Sequence, residues 1–139
     1  MGTLHKIICK ACGAEEGYAT GKGMSSPMIA IELYEGNLKT LKWYVSKKLY
    51  KTVVNLVKDD LGNVRFQIED GNFWCPYCYT ASHLEQLKIS GMKTGEWTQT
   101  LICEKCDNKL LPTKKDLDSF KCKKCGSLSL EDHYAGEWD

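Results

Sequence analysis

The stretch that decides how this chain is read is Cys103-Glu104-Lys105-Cys106, followed after fifteen residues by Cys122-Lys123-Lys124-Cys125-Gly126. Two Cys-x-x-Cys pairs at this separation have the spacing of a zinc site. Each pair places two thiolates on one tight backbone turn, so both sulfurs reach a single ion. Between them, Pro112, Asp116 and Asp118 suit a reversal of the chain.

Two more pairs lie upstream, Cys9-Lys10-Ala11-Cys12-Gly13 and Cys75-Pro76-Tyr77-Cys78. The eight cysteines are therefore four Cys-x-x-Cys pairs with none left over. Disulfide frameworks carry no such regular spacing. The N-terminal Met-Gly-Thr-Leu-His-Lys lacks the apolar run of a signal peptide, and Lys6 departs from the myristoylation pattern. No apolar stretch approaches the length that spans a bilayer. A cytoplasmic protein with reduced thiols is expected, and there paired cysteines favour metal.

The residues from Trp97 to about 130 resemble a zinc ribbon, in which two knuckles at the open ends of a short β-hairpin clamp one ion. That resemblance implies one site from Cys103, Cys106, Cys122 and Cys125. Cys9 and Cys12 then fall together with Cys75 and Cys78. The 62 intervening residues do not forbid it. Loop closure costs only about 0.6 kcal/mol per doubling of length, against roughly 10–16 kcal/mol from zinc binding. The competing arrangement is cross-braced, first pair with third and second with fourth. His5 and His83 lie near knuckles as substitute ligands. With eight cysteines available, they read as ordinary polar residues. Two closed four-sulfur shells point to structural zinc, two ions per chain, with iron as the other candidate. In cysteine count and length the chain also resembles the eight-cysteine metal-binding domain of tellurite-resistance TerY-type proteins.

The organisation expected is mainly β and small: an N-terminal zinc module over residues 1–90 with an inserted β-meander, then a C-terminal zinc ribbon over 91–139. Ile7-Ile8 lead into the first knuckle as a strand. A glycine-rich loop runs from Gly17 to Pro27. The meander is read as strands Met28 to Tyr34, Leu38 to Val45, Leu49 to Val57 and Val64 to Ile68, with turns at Glu35-Gly36-Asn37, Asp59 to Asn63 and Asp70-Gly71-Asn72. Leu41, Tyr44, Val45, Leu49, Val53 and Leu56 also match helical spacing, so a helix over about 40–57 is the alternative. Ala81, Leu84, Leu87 and Lys88 suggest a short helix, Gly91 to Gly95 a linker and Trp97 to Ile102 a strand. Leu128 to Trp138 reads as an acidic tail.

Trp74-Cys75-Pro76-Tyr77-Cys78 and the following Tyr79 to Leu87 resemble the active-site motif and helix of glutaredoxins. The resemblance implies a thiol-disulfide oxidoreductase with Cys75 as nucleophile and Cys78 resolving. The chain departs from that family in the seventy and more residues before the motif, and in lacking its Thr-Val-Pro and Gly-Gly signatures. It would also leave three cysteine pairs without a role.

The formal charge is +1. Two four-thiolate sites holding divalent ions shift it to about −3. There are eighteen lysines and a single arginine, Arg65. Arginine is the usual reader of guanine and phosphate, so sequence-specific DNA recognition is not expected. From Leu38 to Lys58 there are six lysines and no acid. Lys39, Lys42, Trp43, Tyr44, Lys47, Lys48, Tyr50 and Lys51 interleave base and aromatic as a single-stranded nucleic-acid surface does. The competing reading is a solvated lysine face over buried aromatics. A second lysine group, Lys114, Lys115, Lys121, Lys123 and Lys124, offsets thiolate charge. No Ser-His-Asp set, paired-carboxylate pattern or phosphate loop is present, and no small-molecule substrate is evident. The function expected is therefore that of a non-catalytic zinc-binding adaptor for a protein or nucleoprotein partner. A nucleic-acid-binding zinc-ribbon module and the oxidoreductase are the alternatives.

Overall fold

The computed structural model describes residues 1–21, 36–43 and 45–138. The strand expected over Met28 to Tyr34 and Tyr44 lie outside the described residues. In chain order the elements are β1 (Gly2–Cys9), β2 (Glu15–Thr20), a 3-10 turn (Thr40–Trp43), α1 (Lys47–Val57), β3 (Val64–Cys75), β4 (Thr80–Gly91), β5 (Gly95–Thr98), β6 (Leu111–Thr113), a second 3-10 turn (Leu117–Ser119) and β7 (Leu130–Trp138). The protein is mainly β, with one α-helix among the described residues. No described helix is long and apolar enough to cross a membrane.

The described strands form two sheets, ordered β2-β1-β7 and β5-β4-β3-β6. The chain divides into two compact units that alternate along the sequence. The first comprises Met1–Gly23, Asp70–Gln86 and Thr100–Asp139, the second Met24–Glu69 and Leu87–Gln99. A boundary near residue 90 does not describe this division.

In the first unit β1 is the middle strand between β2 and β7, both antiparallel to it. The stretch read as an acidic tail is thus a full strand. Its register runs from Gly2 opposite Trp138 to Cys9 opposite Leu130. Gly17 to Thr20, the expected start of a loop, belong to β2. Elsewhere in this unit β6 pairs with β3, Trp74 lying opposite Leu111 and Asn72 opposite Thr113.

Two local expectations fail here. Asp70-Gly71-Asn72 is extended within β3, and the residues after Cys78 form β4 in place of a helix. One side chain on β4 accounts for the first. His83 Nδ1 lies 2.7 Å from Asn72 Oδ1, and its Nε2 lies 3.1 Å from Asp70 Oδ2. The Gly21 N–H also donates to Asp70. The turn-prone Asp70 and Asn72 side chains are drawn to His83 across the strand pair, which favours the extended backbone over a local turn.

In the second unit α1 stands where the third strand of the meander was expected, and it carries part of the core. Leu41, Val53, Val57, Val64, Phe66, Leu87 and Ile89 form one buried cluster, with Leu49, Tyr50, Leu56 and Trp97 packed against it. The strand expected over Leu49 to Val57 is therefore helix, and Leu38 to Val45 holds a 3-10 turn. The helical spacing wins because it places Leu49, Val53, Leu56 and Val57 on one face. Packing of that face outweighs the weak helix preference of Val53 and Val54. The Ser46 side chain caps the helix by accepting from the Leu49 N–H at 3.2 Å.

The turn expected at Asp59 to Asn63 is present, and Val64 to Ile68 is the start of β3. Gly91 to Gly95 is a tight reversal, with Gly91 opposite Gly95 as β4 passes into β5. Buried Asp60 holds that reversal. Its Oδ2 accepts from the N–H groups of Lys93 at 2.9 Å and Thr94 at 2.8 Å. A Cβ on Gly91 would lie 2.5 Å from this oxygen, which fixes glycine there. Of the strand expected over Trp97 to Ile102, β5 takes the first two residues, and Ile102 makes an isolated bridge to Lys109.

Candidate metal centres

Each Cys-x-x-Cys pair is built by the same backbone turn. The residue four positions after the first cysteine returns its N–H to that cysteine's carbonyl: Gly13 to Cys9 at 2.8 Å, Tyr79 to Cys75 at 2.8 Å, Asp107 to Cys103 at 2.9 Å, and Gly126 to Cys122 at 2.8 Å. All four of these residues have positive φ, at 72°, 56°, 60° and 75°. In three knuckles the first cysteine's own N–H reaches the carbonyl five residues on, at Ala14, Asn108 and Ser127. The turn exposes backbone N–H groups to sulfur. The Cys78 N–H donates to Cys75 Sγ at 3.4 Å.

The four knuckles gather into two sets, Cys9, Cys12, Cys122 and Cys125, and Cys75, Cys78, Cys103 and Cys106. Within each set the four sulfurs lie within 4.8 Å of one another. The outermost pairs join, and the innermost pairs join. This overturns both the sequential and the cross-braced arrangement. The expected ribbon site is not formed, since Cys103 and Cys106 do not share a set with Cys122 and Cys125.

Strand pairing explains the result. Cys9 ends β1 opposite Leu130, and the Lys10 N–H bonds to the Ser129 carbonyl. The 122–125 knuckle, just ahead of β7, is thereby held beside the 9–12 knuckle. Cys75 ends β3 where that strand meets β6. The 103–106 knuckle tips a hairpin closed by the bridge between Ile102 and Lys109 and by the Leu110 N–H to the Leu101 carbonyl. Cys75 and Cys103 are buried with Phe73 and Leu110, with Leu84 and Leu101 against them.

The geometry fits tetrahedral ions. Cys9 and Cys125 sulfurs are 3.6 Å apart, those of Cys12 and Cys122 3.7 Å, and those of Cys75 and Cys106 3.4 Å. A zinc–sulfur distance of about 2.3 Å gives tetrahedral sulfur edges of about 3.8 Å. A disulfide requires about 2.05 Å, and all eight cysteines are free.

Two sulfur environments favour thiolate, those of Cys106 and Cys122, and two oppose it, those of Cys78 and Cys125. The Asn108 side-chain amide donates to Cys106 Sγ at 3.2 Å, and with the Asn108 backbone N–H it brings this thiol down to about 6. The Cys125 N–H does the same for Cys122, which falls to about 7. Cys78, hydrogen-bonded to Cys106 within a crowd of sulfurs, is pushed up to about 12. Four sulfurs this close cannot all ionise together unless a cation compensates them, and a coordinated thiol is deprotonated outright.

His5 and His83 lie outside both sets. His83 is held by Asp70 and Asn72, while His5 stacks on Tyr18 with ring centroids 4.9 Å apart. The Tyr18 hydroxyl donates to Asp132 at 2.7 Å.

The nucleic-acid candidates fall in the second unit. Trp43 is 86% exposed at the end of the first 3-10 turn. Lys39, Lys42, Lys47, Lys48 and Lys51 are exposed, while Tyr50 packs against the core with Lys42 Nζ 5.1 Å from its ring centroid. The bare tryptophan is visible in the sequence only as one aromatic among three.

No protein-family model matches the chain, and no curated protein or solved structure is detectably similar to it. Fold and site together define a small, mainly β protein with two four-cysteine groups arranged to bind metal.

Proposed function

We propose that this protein is a non-catalytic, zinc-stabilised interaction module of the cytoplasm that binds a protein or nucleoprotein partner. The observation that carries the reading is that all eight cysteines are consumed in two complete sulfur sets. A four-sulfur shell leaves no coordination position for substrate or water, which is the property of structural zinc. Soft thiolates suit zinc and iron alike. Zinc is the assignment because it needs no redox partner and has no geometric demand beyond the tetrahedron.

The same observation weighs against a thiol oxidoreductase. A reactive first cysteine draws its low pKa from a helix N-terminus. Here Cys75 is followed by strand β4, is fully buried and has three other sulfurs around it.

Native mass spectrometry with metal analysis tests the reading. Two zinc ions per chain are expected. Alkylation should leave every cysteine of the loaded protein unmodified and label all eight after chelation. Rapid labelling of Cys75 with both ions still bound contradicts the proposal.

A further inference from the structure

Among the described residues three lysines of the first unit and one of the second, Lys88 with Glu69, pair with an acid. In the first, Lys6, Lys10 and Lys123 are paired with Glu15, Glu131 and Glu16. On α1 and the turn before it, none of Lys39, Lys42, Lys47, Lys48, Lys51 and Lys58 has an acidic partner among the described residues. The second unit carries nine basic and six acidic side chains. The first carries ten basic and twelve acidic side chains before its eight thiolates are counted. Positive charge is thus concentrated on the unit without metal ligands.

The lysines are also placed against the helix's own interest. Lys47 and Lys48 occupy the first turn of α1, which contains no acid. Cations there oppose the helix dipole. Trp43, four residues ahead of Lys47 in the chain, is bare to solvent and is not part of the core cluster. Its indole is a large flat face in a segment whose charged residues are all lysine.

We propose that Trp43, with Lys42, Lys47, Lys48 and Lys51, forms a binding surface for single-stranded nucleic acid. The assignment rests on the reading of the protein as a metal-stabilised binding module and names the partner. Exposed lysines track phosphates, and an exposed aromatic stacks on an unpaired base. An acidic peptide would match the lysines but has no use for the indole face. A duplex hides its base faces. With lysine in place of arginine, the surface reads backbone and stacking and is tolerant of sequence.

The test is fluorescence anisotropy of the full, metal-loaded chain with a labelled oligothymidylate. Binding should weaken steeply with salt. Trp43→Ala should lose roughly 5- to 150-fold in affinity, and Trp43→Phe should recover most of it. Combined Lys47→Glu, Lys48→Glu and Lys51→Glu should lower the salt slope by about 2, from about 0.7 per phosphate contact on a single strand. No binding at low salt, or a Trp43→Ala variant that binds like wild type, overturns the proposal. Equal affinity for a duplex or for polyglutamate of the same length overturns it too, the latter assigning the face to an acidic protein. Metal content is measured on the same samples. Failure with two ions bound therefore removes only the nucleic-acid surface, and the metal-stabilised reading falls only if the ions are absent.

Discussion

Tyr79 and Asp107 occupy the left-handed position that Gly13 and Gly126 fill in the other two knuckles. A side chain there costs about 1–2 kcal/mol, less for Asp, which tolerates the region. Asp107→Gly should therefore fall within about 1 kcal/mol of wild type in denaturant unfolding of the loaded protein, since relieved strain offsets the freedom glycine adds to the unfolded chain. Tyr79 differs because its ring packs on Trp74 and Phe120, with centroids at 5.9 and 5.5 Å. Tyr79→Gly should cost about 1–3 kcal/mol, from two aromatic contacts of about 0.5–1.5 kcal/mol each. Asp60 gives a pH test. The backbone N–H of Thr94 holds its carboxyl below the usual range against the opposing effect of burial. A lowered folded-state pKa contributes stability above about pH 4, and that stability is lost as pH falls through the folded value. Asp60→Asn should thus be less stable than wild type near neutrality, and thermal melts should converge as the pH drops below about 4. The cysteines were legible as candidate ligands because residue type and local spacing alone carry that signal. The left-handed positions of the knuckles were half legible, since only two of the four are glycine.

The helix α1 shows where periodicity was ambiguous. Leu49, Val53 and Leu56 satisfy a helix, yet the local run of β-branched and aromatic residues also reads as strand. The decision comes from what the face packs against, Val64, Phe66, Leu87 and Ile89, which is not local information. Strand β4 is the converse case. Leu84 and Leu87 suggested a helix, but buried Leu87 and Ile89 alternate as a strand. Ser46→Ala should cost about 1 kcal/mol of stability through loss of the helix cap. Ile89→Ala should cost about 2–5 kcal/mol, because the side chain is fully enclosed by the cluster. Both are checked by chemical denaturation, with the far-ultraviolet circular dichroism of the native variants unchanged.

At the scale of the molecule, the two units rest on different physics. The second buries seven apolar side chains in one cluster, while cysteines supply half of the four-residue cluster beneath the Cys75 set in the first. Chelation should therefore abolish hydrogen-exchange protection in β1, β6 and β7 while leaving α1 more protected, as read by mass spectrometry. Equal loss in α1 and β1 contradicts that division. The nested joining of the knuckles was not legible, because it follows from β1 meeting β7 across almost the whole chain. Nothing in the spacing of cysteines reports that contact. Proton–cadmium correlation NMR of the cadmium-substituted protein tests the pairing most directly. Two cadmium resonances are expected, one coupled to the β-protons of Cys9, Cys12, Cys122 and Cys125, the other to those of Cys75, Cys78, Cys103 and Cys106. A single cadmium coupled to both Cys9 and Cys75, or to both Cys103 and Cys122, contradicts the account.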